Sequence, residues 1–524
     1  MSRRAMRMLG LAVTAAMAVV AVPQAHAAEA ALTLPAVIGD NMVLQRGQSA
    51  PIWGWDAAGQ KVTVRFAGQT KTATADEQGR WQVRLDALKA SSKPAELTVS
   101  GSATRTLKNV LVGEVWLCSG QSNMEQGMRM VNESAQEIQS AKYPNIRLFL
   151  VPKRTAADPQ PDVKAAWRPC SPKTIVQGGW GGFSGVAYFF GRHLHRELKV
   201  PVGLIESAWG GTRIEPWTPP AGFAAIKRFQ SDAKKLRDAA ARRQVQMREL
   251  IGRVERWLET AKSARAAGRT IPPPPSLPGQ NAHYQSAAAL YNGMVHGLVP
   301  FGIRGAIWYQ GESNNGEGML YYQRMQALIG GWRAVWKQPK LSFHFVQLAP
   351  YRYGSPQRLP EIWEAQTASL AIPDTGMAVI VDIGSVRDIH PRNKQDVGKR
   401  LALWALAKDY GREGLVYSGP LYKGKKIEGS KVRISFDHAG GGLVSRDGKK
   451  LTCFTIAGKD KTFVEADAVI EGKTVVVSSD ACLAPVAVRF GWSETSEPNL
   501  SNKEGLPASP FRTDAPVAEK PEIE

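Results

Sequence analysis

Between residues 110 and 410 short apolar runs alternate with amphipathic stretches, and this alternation restricts the possible folds more than any other feature of the chain. The runs are 110–118 (VLVGEVWLC), 201–208 (PVGLIESA), 303–309 (IRGAIWY), 341–348 (LSFHFVQL) and 376–382 (GMAVIVD). Helical spacing of apolar residues fills the intervals at 186–198, 319–336, 362–370 and about 394–409. Unbroken apolar strands separated by helices predict an α/β domain, a parallel sheet covered by helices on both faces. Ligands of such sheets bind beyond the carboxyl ends of the strands, so the residues just after each run are where chemistry is expected.

The flanking segments read differently. In residues 28–105 Val62, Val64 and Phe66 alternate with polar neighbours, as do Trp81, Val83 and Leu85, which predicts a small N-terminal β-sandwich. The α/β pattern occupies 106–410, and a C-terminal β-rich module (KVRISF, KTVVVSS, VAVRFGW) follows over 411–513, with a polar tail at 514–524. One charged insertion, about 223–269, carries Met247, Leu250, Ile251, Val254, Trp257 and Leu258 at helical spacing, so a helix packing that stripe on the body is expected.

Residues 1–27 have the form of a cleaved leader. Arg3, Arg4 and Arg7 precede an apolar run from Leu9 to Val22, and Ala25-His26-Ala27 supplies a small-x-small cleavage site. The run is shorter than the about 20 residues a membrane span needs. A periplasmic or secreted protein without stable membrane insertion is expected. Removing the three leader arginines from a formal charge of +21 leaves +18. Lys and Arg are scattered among Glu and Asp without a nucleic-acid-binding motif, which argues against a nucleic-acid partner. An oxidising compartment permits disulfides among Cys118, Cys170, Cys453 and Cys482, and Cys453 with Cys482, in one late β-rich segment, is the expected pair. No Cys-x-x-Cys pair or His-Glu-x-x-His helix is present, so no metal site is expected.

The strand ends carry four polar motifs: Ser119-Gly120-Gln121-Ser122-Asn123-Met124, Trp209-Gly210-Gly211-Thr212, Gln310-Gly311-Glu312-Ser313-Asn314, and Asp388-Ile389-His390-Pro391 after the last run. Each suits one part of acyl transfer. A serine on a sharp strand-to-helix turn exposes its hydroxyl but needs an adjacent base; Ser122 fits that turn, and capping a helix is its competing role. His390 titrates near neutrality and follows the last strand, with Asp388 two residues earlier where a carboxylate can orient its ring. Glu312, at another strand end, is the rival for that orienting role. A tetrahedral intermediate requires donors aimed at its oxyanion. The backbone of Ser122 and of Gly211 or Gly210 can supply two, and the amide of Gln310 or Asn314 a third.

The strings LVGEVWLCSGQSNM, GLIESAWGGTRIEPW, LYNGMVHGLVPFGIRGAIWYQGESN and DIHPRNKQDVGKRLA together resemble the sialate O-acetylesterase family of the SGNH-hydrolase superfamily, and the likeness spans nearly the whole mature chain. The resemblance implies a three-layer α/β catalytic domain, Ser122 as nucleophile, His390 as base, no metal or organic cofactor, and an O-acetylated carbohydrate as partner. The histidine motif here reads Asp-x-His, with Arg387 where the superfamily's commoner Asp-x-x-His places its acid, which leaves the helper as Asp388 or Glu312. Gln310 stands near the position at which superfamily members usually carry an oxyanion Asn. Arg213 and Trp217 are placed to hold a sugar, by bonding its hydroxyls or a carboxylate and by stacking on a ring; core packing is the competing role for Trp217. Sialic acid and acetylated plant polysaccharides such as xylan or xyloglucan fit the resemblance equally. An inactive, hydrolase-like carbohydrate-binding protein is the alternative, and loss of Ser122 or His390 would be its mark.

Overall fold

A computed structural model describes residues 31–276 and 282–514, so the leader at 1–27 and the tail beyond Asp514 lie outside the described residues. Seven strands form the central sheet: β1 (Thr104–Gly120), β2 (Tyr143–Leu150), β3 (Trp167–Cys170), β4 (Val202–Ala208), β5 (Gly305–Tyr309), β6 (Ser342–Val346) and β7 (Thr375–Ala378). Their order is β7-β6-β5-β1-β4-β2-β3, parallel throughout except that β3 runs antiparallel to β2. Every residue of β4, β5, β6 and β7 is buried, as expected of strands covered on both faces.

The five apolar runs supply β1 and β4 to β7, whereas β2 and β3 are absent from the predicted set. In β2 Pro144, Asn145 and Arg147 interrupt the apolar pattern. Arg147 is buried nonetheless, because its guanidinium donates to the carbonyls of Pro144 (2.7 Å) and Asn41 (3.0 Å) and to Asn109 Oδ1 (3.0 Å). Among the helices that follow the strands are α1 (Ser122–Glu125), α2 (Gly185–Leu198), α3 (Gln230–Ala266), α4 (Leu320–Trp336), α5 (Arg358–Ala368) and α6 (Lys394–Lys408).

The N-terminal β segment is an extension of the catalytic body. Strand β1 begins there, pairing antiparallel with Ser91–Ser100 and parallel with Val43–Gln45, and continues unbroken through the expected boundary at 105 into the centre of the main sheet. Leu32, Val62 and Val99 accordingly share one hydrophobic core with Val115, Ile205 and Phe345. The C-terminal module has its own core, built on Val432, Ile434, Val475 and Phe490. It is fastened to the body by Arg512 on Glu364 (2.8 Å) and by Glu494, whose carboxylate accepts the N–H groups of Tyr353 (3.1 Å) and Gly354 (2.8 Å).

The insertion forms the 37-residue helix α3. Its stripe packs only in part: Leu250 is buried, but Met247, Ile251, Val254 and Leu258 are exposed. The expected Cys453–Cys482 disulfide is absent, and all four cysteines are free thiols. Cys453 immediately precedes the strand Phe454–Ala457, whereas the Sγ of Cys482 lies beside Gly458, past the other end of that strand. At about 3.3 Å per residue the strand separates the two thiols well beyond disulfide reach. Among the described residues no helix is long and apolar enough to cross a membrane.

Candidate active site

The central strand β1 delivers Ser122 to the carboxyl edge of the sheet. Gly120 ends that strand at φ +143°, and a Cβ there would fall 2.1 Å from the carbonyl oxygen of Tyr309 on β5, so only glycine allows the chain to turn so close to its neighbour. The turn leads into α1, whose cap position belongs to Gln121; Ser122 is therefore not the capping residue. Gly210, after β4, packs directly on the serine, since a Cβ at Gly210 would come within 3.2 Å of Ser122 Cβ.

Ser122 and His390 line one cavity of about 1120 Å³, together with Gly210, Gly211, Glu312 and Trp180. His390 Nε2 is buried and bonded to no protein group, while Nδ1 lies 3.9 Å from Asp388 Oδ1 and the backbone N–H donates to the same oxygen at 2.9 Å. Burial disfavours the imidazolium and Lys394 disfavours it further, so His390 titrates below its ordinary value despite the opposing pull of Asp388. The imidazole is thus neutral, with an unoccupied nitrogen, at neutral pH.

The two candidate helper acids have different surroundings. Asp388, with its side chain 55% exposed, belongs to the same loop as the imidazole. Glu312 instead accepts a hydrogen bond from Asn123 Nδ2 (2.6 Å), and its second oxygen is buried without a partner; burial pushes its carboxyl above the usual carboxylate range.

Several residues expected at the site serve the scaffold. Trp217 is fully buried, donates Nε1 to Thr212 Oγ1 (3.0 Å) and meets Trp308 edge to face, so no sugar can stack on it. The amide of Gln310 is buried and donates to the Thr212 carbonyl (3.1 Å) and Asn314 Oδ1 (2.7 Å). Asn314 Nδ2 is held by Glu215 (3.0 Å) and Glu317 (3.2 Å), and its Oδ1 accepts the N–H of Ile214 (3.0 Å). Neither amide is left to face an oxyanion. Arg213 is likewise engaged within the protein, by Glu215, Glu317 and the Ser313 carbonyl. The N–H of Gly210 donates to Glu125 Oε2 at 2.7 Å, which removes it from the donor set. The N–H groups of Ser122 and Gly211 take no backbone partner among the described residues.

Other residues at the cavity were not anticipated. Trp180 presents its ring edge to face with His390, centroids 5.0 Å apart, and is 38% exposed. Glu125 is buried and receives Lys153 Nζ at 2.6 Å as well as the Gly210 N–H, so it fixes the loop after β4 to the serine's helix. Glu206, on β4, is buried nearby with its carboxyl pushed well up, chiefly by desolvation. Asn123 follows the serine within the first motif, Glu125 stands just past its end, and Trp180 stands in a run of glycines; those positions were the available signals.

A second His–Asp pair, His344 with Asp409 at 2.7 Å, is buried in the core. The serine bonded to it, Ser342, opens β6 and so lies at the amino edge of the sheet, opposite Ser122.

Residues 112–250 and 276–405 match the model of the family described as carbohydrate esterase, sialic acid-specific acetylesterase. The sialate O-acetylesterase of Rattus norvegicus is 31% identical over 498 residues, covering 87% of this chain and 88% of that protein. That of Homo sapiens is 28% identical, covering 90% and 91%. The crystal structure of a carbohydrate acetylesterase from Xanthomonas citri superimposes with a TM-score of 0.78 at 37% identity, over 92% of this chain and 100% of that one. The chain therefore belongs to the sialic acid-specific acetylesterase family of carbohydrate esterases and is a serine ester hydrolase.

Proposed function

We propose that this protein is an exported carbohydrate O-acetylesterase of three-layer SGNH type, with Ser122 as nucleophile, His390 as general base and Asp388 as the acid that orients the imidazole. The observation that carries this reading is the opening of Ser122 and His390 onto one cavity, with the buried Nε2 of His390 unclaimed by any protein group. Ser122 Oγ attacks the acetyl carbonyl carbon as His390 Nε2 takes its proton. The oxyanion is met by the N–H groups of Ser122 and Gly211, the donors that the scaffold leaves unpaired. Collapse of the intermediate breaks the ester bond, and the sugar oxygen leaves with the proton from His390. Water, deprotonated by the same nitrogen, then attacks the acetyl-serine, releasing acetate and restoring Ser122. Asp388 supports this reading as helper because it shares the imidazole's loop, whereas Glu312 is engaged with Asn123.

A cavity of about 1120 Å³ exceeds what a single acetylated ring fills, which favours an oligosaccharide donor. The exposed face of Trp180 beside His390 takes the stacking role that Trp217 cannot perform. The leader-like residues 1–27 support export.

The decisive experiment measures acetate release by the purified protein and by its Ser122→Ala variant from acetylated xylan, xyloglucan, pectin and sialylated mucin, with p-nitrophenyl acetate as reference ester. Release by the wild type that the variant loses supports the assignment, and the preferred donor names the substrate. Sugar binding without hydrolysis of any ester would leave a carbohydrate-binding protein.

A further inference from the structure

Lys394 is wholly buried at the first position of α6, behind the loop that carries His390. The helix is capped by Asn393, whose Oδ1 accepts the Asp396 N–H at 3.0 Å, so the lysine is set at the helix start by local geometry. That setting is unfavourable for a cation. Desolvation pushes its ammonium down to about 7, and the partial positive charge at a helix N-terminus adds to the penalty. What it touches is specific: Nζ donates to Asn123 Oδ1 at 2.6 Å and lies 5.3 Å from the centroid of the Tyr309 ring. Asn123 in turn uses both hydrogens of its amide, donating to Glu312 Oε1 at 2.6 Å and to the Ile389 carbonyl at 2.9 Å.

Asn123 follows Ser122 and Ile389 precedes His390, so one amide spans the neighbours of both candidate reacting groups. An amide can rotate by 180° and exchange oxygen for nitrogen; in the flipped orientation its oxygen would face Glu312 and the Ile389 carbonyl, acceptor against acceptor. An N–H donor from Lys394 on the oxygen side adds to that discrimination and favours the one orientation observed. We propose that Lys394 is a positioning residue for ester hydrolysis, fixing Asn123 so that the helix of Ser122 and the loop of His390 are held at the spacing proton transfer requires. This rests on the reading of Ser122 and His390 as nucleophile and base. The effect belongs to turnover and leaves substrate affinity alone, because Lys394 lies outside the cavity wall formed by Gly211, Trp180 and Lys153.

The test is a double-mutant comparison in the mature protein with p-nitrophenyl acetate, joined by the rate at which a fluorophosphonate probe labels Ser122. Lys394→Met alone leaves Glu312 as an uncompensated buried acid and risks unfolding. Glu312→Gln together with Lys394→Met removes both charges, while the introduced carboxamide oxygen can still accept from Asn123. Relative to Glu312→Gln, the double variant is expected to melt as one folded species, with kcat and labelling rate reduced at least tenfold and KM within twofold. Turnover and labelling within twofold of Glu312→Gln would overturn the inference. Loss of the folded state in the double variant would overturn it too, since a positioning residue is dispensable for folding. Labelling or turnover that survives in Ser122→Ala would instead remove the nucleophile assignment, whatever the lysine variants do.

Discussion

Asn123 Nδ2 donates to the carbonyl oxygen of Ile389 at 2.9 Å, a contact between residues 266 positions apart that ties the residue after Ser122 to the residue before His390. The first and last polar motifs of the α/β domain are thereby joined through backbone and amide, independently of any bond between hydroxyl and imidazole. In acyl transfer, geometry held before substrate arrives is worth several kcal/mol of barrier. Under the proposed assignment of Ser122 and His390, this link is the form such holding takes here.

Replacing Ser122 with alanine is expected to lower kcat on p-nitrophenyl acetate by on the order of a millionfold. The melting temperature should stay within about 2 °C of wild type, because the side chain caps no helix and lies at the cavity edge. Steady-state kinetics beside a thermal melt by circular dichroism check both halves. Retention of turnover would remove Ser122 from the mechanism.

Asp388→Asn and Glu312→Gln distinguish the two acids. Loss of the helper in a buried triad costs about ten-thousandfold. Asp388 is 55% exposed and 3.9 Å from Nδ1, so its asparagine variant should lose roughly tenfold to a thousandfold in kcat. Glu312→Gln keeps an acceptor for Asn123 and should lose less than Asp388→Asn. The reverse ranking in parallel kcat measurements would make Glu312 the helper.

The pH profile has a definite sign. As the proposed base His390 must be neutral to accept a proton, and burial with Lys394 nearby disfavours its protonated form, Asp388 opposing. The acid limb of kcat/KM should therefore fall at a pH below the 6.5 of an unperturbed imidazole. A limb at or above 6.5, measured on an ester whose own hydrolysis is flat over that range, contradicts the neutral, desolvated base.

Two tryptophans should respond oppositely. Trp180→Ala removes an exposed ring from the cavity wall and is expected to raise KM for an acetylated oligosaccharide severalfold, with little effect on stability. Trp217→Ala empties a fully buried site and should cost about 3–5 kcal/mol in urea unfolding. If Trp180→Ala leaves KM unchanged on every glycan tested, stacking at that ring is excluded.

What the residues alone determined is the frame: which runs become buried strands, and which polar motifs follow them. That is legible because an apolar run bounded by glycine admits few other structures, and a glycine such as Gly120 marks the turn where no side chain fits. Strand β2 is not legible in the sequence because Arg147 breaks its pattern, and the carbonyl that accepts from its guanidinium belongs to Asn41, far away in the chain. Tertiary structure alone decided which way each side chain turns after its strand. Gln310 and Asn314 occupy a strand-end motif as fully as Ser122 does, and Trp217 follows another closely, yet their partners draw them into the scaffold, while Trp180, Glu125 and Lys394 are brought to the site. Spacing along the chain fixes which edge of the sheet a residue reaches. The direction of its side chain is set by hydrogen bonds such as Asn123 to Glu312, between residues 189 positions apart, and those partners exist only once the sheet has assembled.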